Sequence, residues 1–149
     1  MNDECCSPFL IMAVKISILF AGLYLLIGML TGVWKYAAMM QSENHKSSMY
    51  IDIAHRNALL FSFACLVIAK LMEFSPFSPV MQLVITLIPL FYFSLTTINQ
   101  IKEGFSGRTE TIFKERNFST TWFMYGLIAG EIASISLMVI GFVYTEFLR

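Results

Sequence analysis

Charge is scarce in this chain, and so are the residues that build familiar active sites. Asp, Glu, Lys and Arg make up 13% of the 149 residues, whereas roughly a quarter of a soluble domain is charged. The formal net charge is zero, so the charge balance does not point to nucleic acid or to an acidic substrate. Hydrophobic residues make up 57% of the chain. This composition predicts an integral membrane protein whose main partner is the lipid bilayer.

Motifs for metal, cofactor or nucleophilic chemistry are also lacking. The sequence has no C-x-x-C, no H-E-x-x-H and no glycine-rich phosphate loop. There are only two histidines, and one of them, His45, lies in the polar stretch QSENHKSS, so a haem held by two histidines of one chain is not expected. Cys5 and Cys6 are adjacent, which would strain a disulfide between them; they could instead bridge two chains. We expect no metal and no cofactor, and the sequence favours a protein that is not an enzyme.

Four apolar segments are long enough to cross a bilayer, which takes about 20 apolar residues. They predict helices at about 9–34, 51–72, 80–101 and 119–144. The sequence FSPFSP at 74–79 predicts a tight turn between the second and third helices. No room remains for a soluble domain, so we expect residues 1–149 to form one transmembrane domain. The predicted fold class is an all-α, membrane-embedded four-helix bundle.

The distribution of basic residues predicts the orientation. The opening MNDECCSPFL lacks the basic region of a cleaved signal peptide, so we expect the first helix to be retained. Seven Lys and Arg fall in the first and third connections, and three fall on the other side. The seven are Lys35, Lys46, Arg56, Lys102, Arg108, Lys114 and Arg116, and the three are Lys15, Lys70 and Arg149. The positive-inside rule then places both termini outside the cytoplasm.

Polar residues inside the apolar segments are the candidate functional residues. Glu131 lies near the middle of the uncharged stretch 117–145, where a charge costs at least ~3 kcal/mol. Asp52, His55 and Arg56 have spacings of three and four, so they share one helix face. With Asn57 and Asn99 near the same membrane surface, these residues predict a buried polar pocket that has Glu131 at its base. Alternatively, the Asp-x-x-His-Arg run is an interfacial anchor and Glu131 makes a structural hydrogen bond.

Small residues four apart predict close helix packing. Gly28 and Gly32 form one such pair, and Gly126 and Gly130 form another that Ser134 extends. We expect contact between the first and fourth helices of one chain, with a homodimer face as the alternative.

The stretches TGVWKY (31–36) and YIDIAHRNALLFSFA (50–64) resemble a group of small, uncharacterised bacterial four-span membrane proteins. In that group a D-x-A-H-R run opens the second helix, which here corresponds to Asp52, Ala54, His55 and Arg56. The resemblance covers residues 31 to about 102. It implies a multi-pass protein of the bacterial inner membrane, and it implies no activity.

Three classes of function fit these features. The first is an accessory or assembly subunit of a membrane complex. The second is an oligomeric, proton-linked transporter or channel that uses Glu131. The third is a membrane-embedded enzyme acting on a lipid or another apolar substrate, with Glu131 or His55 as acid or base.

Overall fold

The protein consists of four long helices in the computed structural model, which describes residues 8–106 and 118–148. The helices are α1 (Pro8–Gln41), α2 (Met49–Glu73), α3 (Pro79–Phe105) and α4 (Phe118–Phe147). Side chains are described for residues 12–106, 125–126 and 128–148. Several residues used in the sequence argument lie outside these ranges. They are Cys5, Cys6, Arg108, Lys114, Arg116 and Arg149.

Every one of the four helices contains a candidate membrane span. The spans are Met12–Gln41, Met49–Glu73, Pro79–Phe105 and Ile128–Phe147. Large apolar side chains such as Leu19, Phe63, Phe91 and Ile140 are more than half exposed on the outer faces, which is the arrangement expected where lipid replaces water. The prediction of an all-α, membrane-spanning four-helix bundle is confirmed.

All four helices run beyond their predicted bounds, and the largest extensions are at the C-terminal ends of α1 and α3. The predicted first helix ends at residue 34, but α1 continues to Gln41; Ala and Met in this segment favour the helix, and no Gly or Pro interrupts it. The predicted third helix ends at residue 101, but α3 continues to Phe105. Pro89 lies inside α3, with the helix continuing on both sides of it. Hydropathy marks where a helix enters lipid, whereas the backbone remains helical beyond that boundary.

The α1–α2 hairpin is the best-packed part of the bundle. A Cβ at Gly28 would lie 2.6 Å from Leu59 Cδ2, and a Cβ at Gly32 would lie 3.0 Å from the His55 ring, so both glycines allow α2 to approach closely. The Ser62 hydroxyl also donates a 2.8 Å hydrogen bond to the backbone carbonyl of Ala21. The small residues of α1 therefore contact α2, and not α4 as expected.

An aromatic cluster fills the centre of the α1–α2–α3 interface. Phe61 of α2 stacks on Phe93 of α3 with ring centroids 4.2 Å apart, and Tyr24 of α1 contacts the edges of both rings. The Tyr24 hydroxyl is 2.8 Å from the Ser94 hydroxyl. Because Tyr24 is 3% exposed, this hydrogen bond satisfies a polar group that would otherwise be costly to bury. The cluster joins the three helices near mid-membrane.

Helix α4 contacts the bundle through a narrow stripe. Ser134, Met138 and Gly141 are buried along one face, and Met138 belongs to the main apolar core with Ile68 and Met72 of α2. Within the described residues, the backbones of α1 and α4 do not come close to each other. Among the described residues, α4 packs on α2 and α3.

Candidate functional site

Asp52 holds together the first polar cluster, which we call the ion cluster (Lys35, Asp52 and Arg56). The Lys35 ammonium of α1 lies 2.5 Å from Asp52 Oδ1, and Arg56 Nη2 lies 2.5 Å from Asp52 Oδ2. Asp52 and Arg56 are one helical turn apart on α2, while the short α1–α2 connection brings Lys35 alongside them. The side chain of Arg56 is 65% exposed, whereas those of Lys35 and Asp52 are 31% and 28% exposed. The cluster is therefore an interfacial site and not a buried one.

His55 lies one turn deeper and has a structural contact. Its Nδ1 is 2.8 Å from the carbonyl oxygen of Gly28. A carbonyl oxygen only accepts hydrogen bonds, so Nδ1 carries the proton and donates it. The ring packs over Gly32, which has no side chain to displace it. His55 thus fixes α2 against α1 through the backbone.

Glu131 lies in another part of the bundle. Its neighbour Gly130 packs against Ile88 and Tyr92 of α3, whereas Ile51, the neighbour of Asp52, packs against Gly104 of α3. From Tyr92 to Gly104 the helix rises about 18 Å. Glu131 is half-buried, and within the described part of the chain no side chain forms a hydrogen bond or ion pair with it. Its carboxyl group is therefore without a partner in this region of the molecule.

The six residues of the predicted pocket do not form one site. Arg56 and Asn99 are exposed, and Asn57 is half-buried. Among the described residues, no hydrogen bond joins Asn57, Asn99 or Glu131 to the ion cluster. The aromatic cluster of Tyr24, Phe61 and Phe93 fills the bundle centre near the level of Tyr92 and Gly130. The prediction that Arg56 and Asn99 are buried is corrected: both lie near the ends of the apolar spans, where long or polar side chains reach water and headgroups.

The predicted packing residues also separate into two groups. Gly28 and Gly32 contact α2, and Gly130 contacts α3. Ser134 is buried on the inner stripe of α4. By contrast, a Cβ built on Gly126 would have no described atom within 4 Å. The surface of α4 at Gly126 is therefore open within the described residues.

Sequence reasoning missed the polar residues buried on α3. Gln82, Thr86 and Thr97 are at most 3% exposed, and their spacing of four and eleven residues places them on one face of the helix, a signal that could have been read. Within the described residues, Gln82 Oε1 and the two threonine hydroxyls have no hydrogen-bond partner. It also missed Lys35 as the partner of Asp52, although the short α1–α2 connection places these two residues at similar distances from the turn.

An open apolar groove of about 680 Å³ runs along the outer face of α3. It lies between Phe20 of α1 and Gly130 of α4, and Ser94 lies at one edge. The other lining residues belong to α3 and are almost all apolar: Val84, Leu87, Ile88, Leu90, Phe91 and Tyr92. In a bilayer such a surface faces lipid chains or another transmembrane helix.

The described part of the chain contains no candidate metal site. Within residues 8–106 and 118–148, no three His, Cys, Asp or Glu side chains come close enough to share an ion.

Comparison with protein-family models, with curated proteins and with solved structures finds no match for this chain.

Proposed function

We propose that the protein is an accessory or assembly subunit of a membrane complex, and that α4 is the helix that contacts the partner. The observation that carries this proposal is the Glu131 carboxyl group, which has no partner within the described residues although it lies in a membrane span. An unpaired carboxyl group at this depth is costly. A hydrogen-bond donor or a cation on another membrane chain would remove that cost.

The way α4 packs supports the same proposal. Helix α4 has a narrow buried stripe, and Ile128, which lies three residues before Glu131 and on the same helix face, is 46% exposed. Membrane helices associate through packing and hydrogen bonds between them. A partner helix on this face would cover Ile128 and reach Glu131 together.

The two alternatives have weaker support. A proton-linked transporter needs a polar route to Glu131, but Asp52 and His55 are engaged in contacts with α1, and packed aromatic rings fill the centre of the interface. An enzyme needs an acid or base free to meet its substrate beside other polar groups. Glu131 has no such neighbours among the described residues, so the subunit proposal accounts for more of the structure.

The test is native mass spectrometry of the protein extracted gently from its own membranes. We expect a second protein at fixed stoichiometry, and we expect Glu131→Leu to release it. Glu131→Gln keeps the hydrogen-bonding capacity and should release less of it. Glu73→Leu is the control, because Glu73 is an exposed acid at the end of α2 paired with Lys70.

The folding of each variant is checked by its thermal unfolding midpoint in detergent, so loss of a partner is not confused with loss of structure. A protein that remains free of other chains in gentle extracts, or a Glu131→Leu variant that keeps its partner fully, would contradict the subunit proposal.

We further propose the bacterial inner membrane as the location, with both termini outside the cytoplasm. The resemblance around the D-x-A-H-R run supports the membrane, and the seven-to-three distribution of basic residues supports the orientation. An impermeant thiol reagent applied to intact cells should label Cys5 or Cys6, whereas Cys65 is fully buried. Labelling of the N-terminal pair only after cell lysis would reverse the orientation.

A further inference from the structure

Two ion-paired groups lie at opposite ends of α2, and they differ in charge. At the C-terminal end Lys70 pairs with Glu73 at 2.6 Å, so this pair is neutral. At the N-terminal end Asp52 is shared between Lys35 and Arg56, so two cations face one anion. Counted over these three side chains, the ion cluster therefore has one surplus positive charge.

Within the described part of the chain, both cations of the cluster keep N–H donors beyond those bound to Asp52. Asp52 accepts one hydrogen bond from Lys35 and one from Arg56, whereas an ammonium group has three N–H donors and a guanidinium group has five. Because the two cations bind the two oxygens of a single carboxylate, they are held side by side. An adjacent guanidinium fork and ammonium group match the several oxygen atoms of a phosphate group.

The depth of the cluster matches that of a phospholipid headgroup. Trp34 and Tyr36 flank Lys35 in the sequence; Trp34 stacks on Phe105 with centroids 4.3 Å apart, and Tyr36 is 65% exposed. Trp and Tyr rings favour the membrane–water interface. The N-terminal end of α2 lies at the same level, and its helix dipole adds partial positive charge.

We infer that the ion cluster is a binding site for the phosphate group of an anionic phospholipid, with Arg56 and Lys35 as the binding residues and Asp52 as the positioning residue. The inference is independent of the proposed subunit function. A lipid with a zwitterionic headgroup brings its own cation to the site, so it competes poorly for the same donors. Anionic phospholipid is therefore preferred over zwitterionic phospholipid at this end of α2.

The test is a lipid titration followed by native mass spectrometry. The delipidated protein is mixed with phosphatidylglycerol or with phosphatidylcholine, and the bound fraction is measured for the wild type, Arg56→Gln and Lys35→Gln. We expect each substitution to weaken phosphatidylglycerol binding about fivefold, the effect expected for one basic residue near an anionic headgroup. Lys70→Gln is the matched control, because Lys70 is 68% exposed, paired with a carboxylate and located on the same helix.

Two further measurements separate a built site from general attraction. Arg56→Lys keeps the charge but loses the guanidinium fork, so it should bind more weakly than the wild type; equal binding would overturn the proposed geometry. Inorganic phosphate added at millimolar concentration should not displace the lipid. Displacement by inorganic phosphate, or an equal loss in Lys70→Gln, would overturn the lipid site. Unchanged thermal unfolding midpoints show that the variants are folded.

Discussion

The α1–α2 hairpin and helix α4 contain the same small-residue pattern, yet they pack in different ways. In α1, Gly28 and Gly32 are in close contact with α2, and His55 and Ser62 add hydrogen bonds to the α1 backbone. In α4, Gly130 contacts α3, but no atom of the described residues lies within 4 Å of a Cβ built on Gly126. A pair of glycines four apart thus permits close approach without determining which helix approaches.

Polar residues account for the difference. The α1–α2 interface joins an imidazole, a hydroxyl and a carboxylate to groups on the facing helix. Helix α4 has Glu131 within its span, and among the described residues no donor forms a hydrogen bond with it. Hydrogen bonds between helices are worth roughly 0.6–2 kcal/mol each in a membrane, so a few of them distinguish a fixed hairpin from a helix with an unused surface.

The largest expected effect comes from replacing Gly28 with a larger residue, and the same replacement at Gly126 is the comparison. Gly28→Leu should destabilise the protein by about 1–3 kcal/mol, the usual cost of overpacking, because its Cβ would lie 2.6 Å from Leu59 Cδ2. Gly126→Leu should change the free energy of unfolding by less than about 0.5 kcal/mol. Reversible unfolding in mixed detergent micelles measures both values.

If Gly126→Leu destabilised the isolated protein as strongly as Gly28→Leu, α4 would be packed at that position by a surface of its own chain. The proposed difference between the two regions would then be wrong.

A smaller effect is expected from two buried serines. Ser62→Ala removes the 2.8 Å hydrogen bond to Ala21 and should cost about 0.6 kcal/mol, the average for such bonds in membrane proteins. Ser134 is similarly buried on α4 but has no side-chain hydrogen bond to another described helix. Ser134→Ala should therefore leave the free energy of unfolding almost unchanged in the same assay. Equal losses for the two serines would contradict the argument that α4 lacks polar attachment.

The fold was predictable from the sequence because the lipid environment limits which backbone structures are stable. Apolar segments of about 20 residues must form helices in lipid, since each backbone group needs a partner within its own segment. The end of α1 was not predictable in the same way. Residues 35–41 extend past the apolar region, where helix propensity rather than hydropathy maintains the helix.

The candidate site was predictable only in part, because residues of one helix share a face by geometry, whereas residues of different helices meet by packing. The spacing of Asp52 and Arg56 predicted that they share a helix face, and they form an ion pair there. The depth of Glu131 could be estimated along its own helix. Which helix Glu131 faces depends on how α4 crosses the bundle, and the sequence of α4 alone does not determine that crossing.

Gln82 has a consequence for how self-sufficient the α2–α3 hairpin is. Its side-chain amide donates hydrogen bonds of 3.0 and 2.9 Å to the carbonyl oxygens of Ser75 and Phe77, which lie in the turn between α2 and α3. These carbonyl groups therefore have partners within the hairpin itself. The turn needs neither α1 nor α4 to satisfy them.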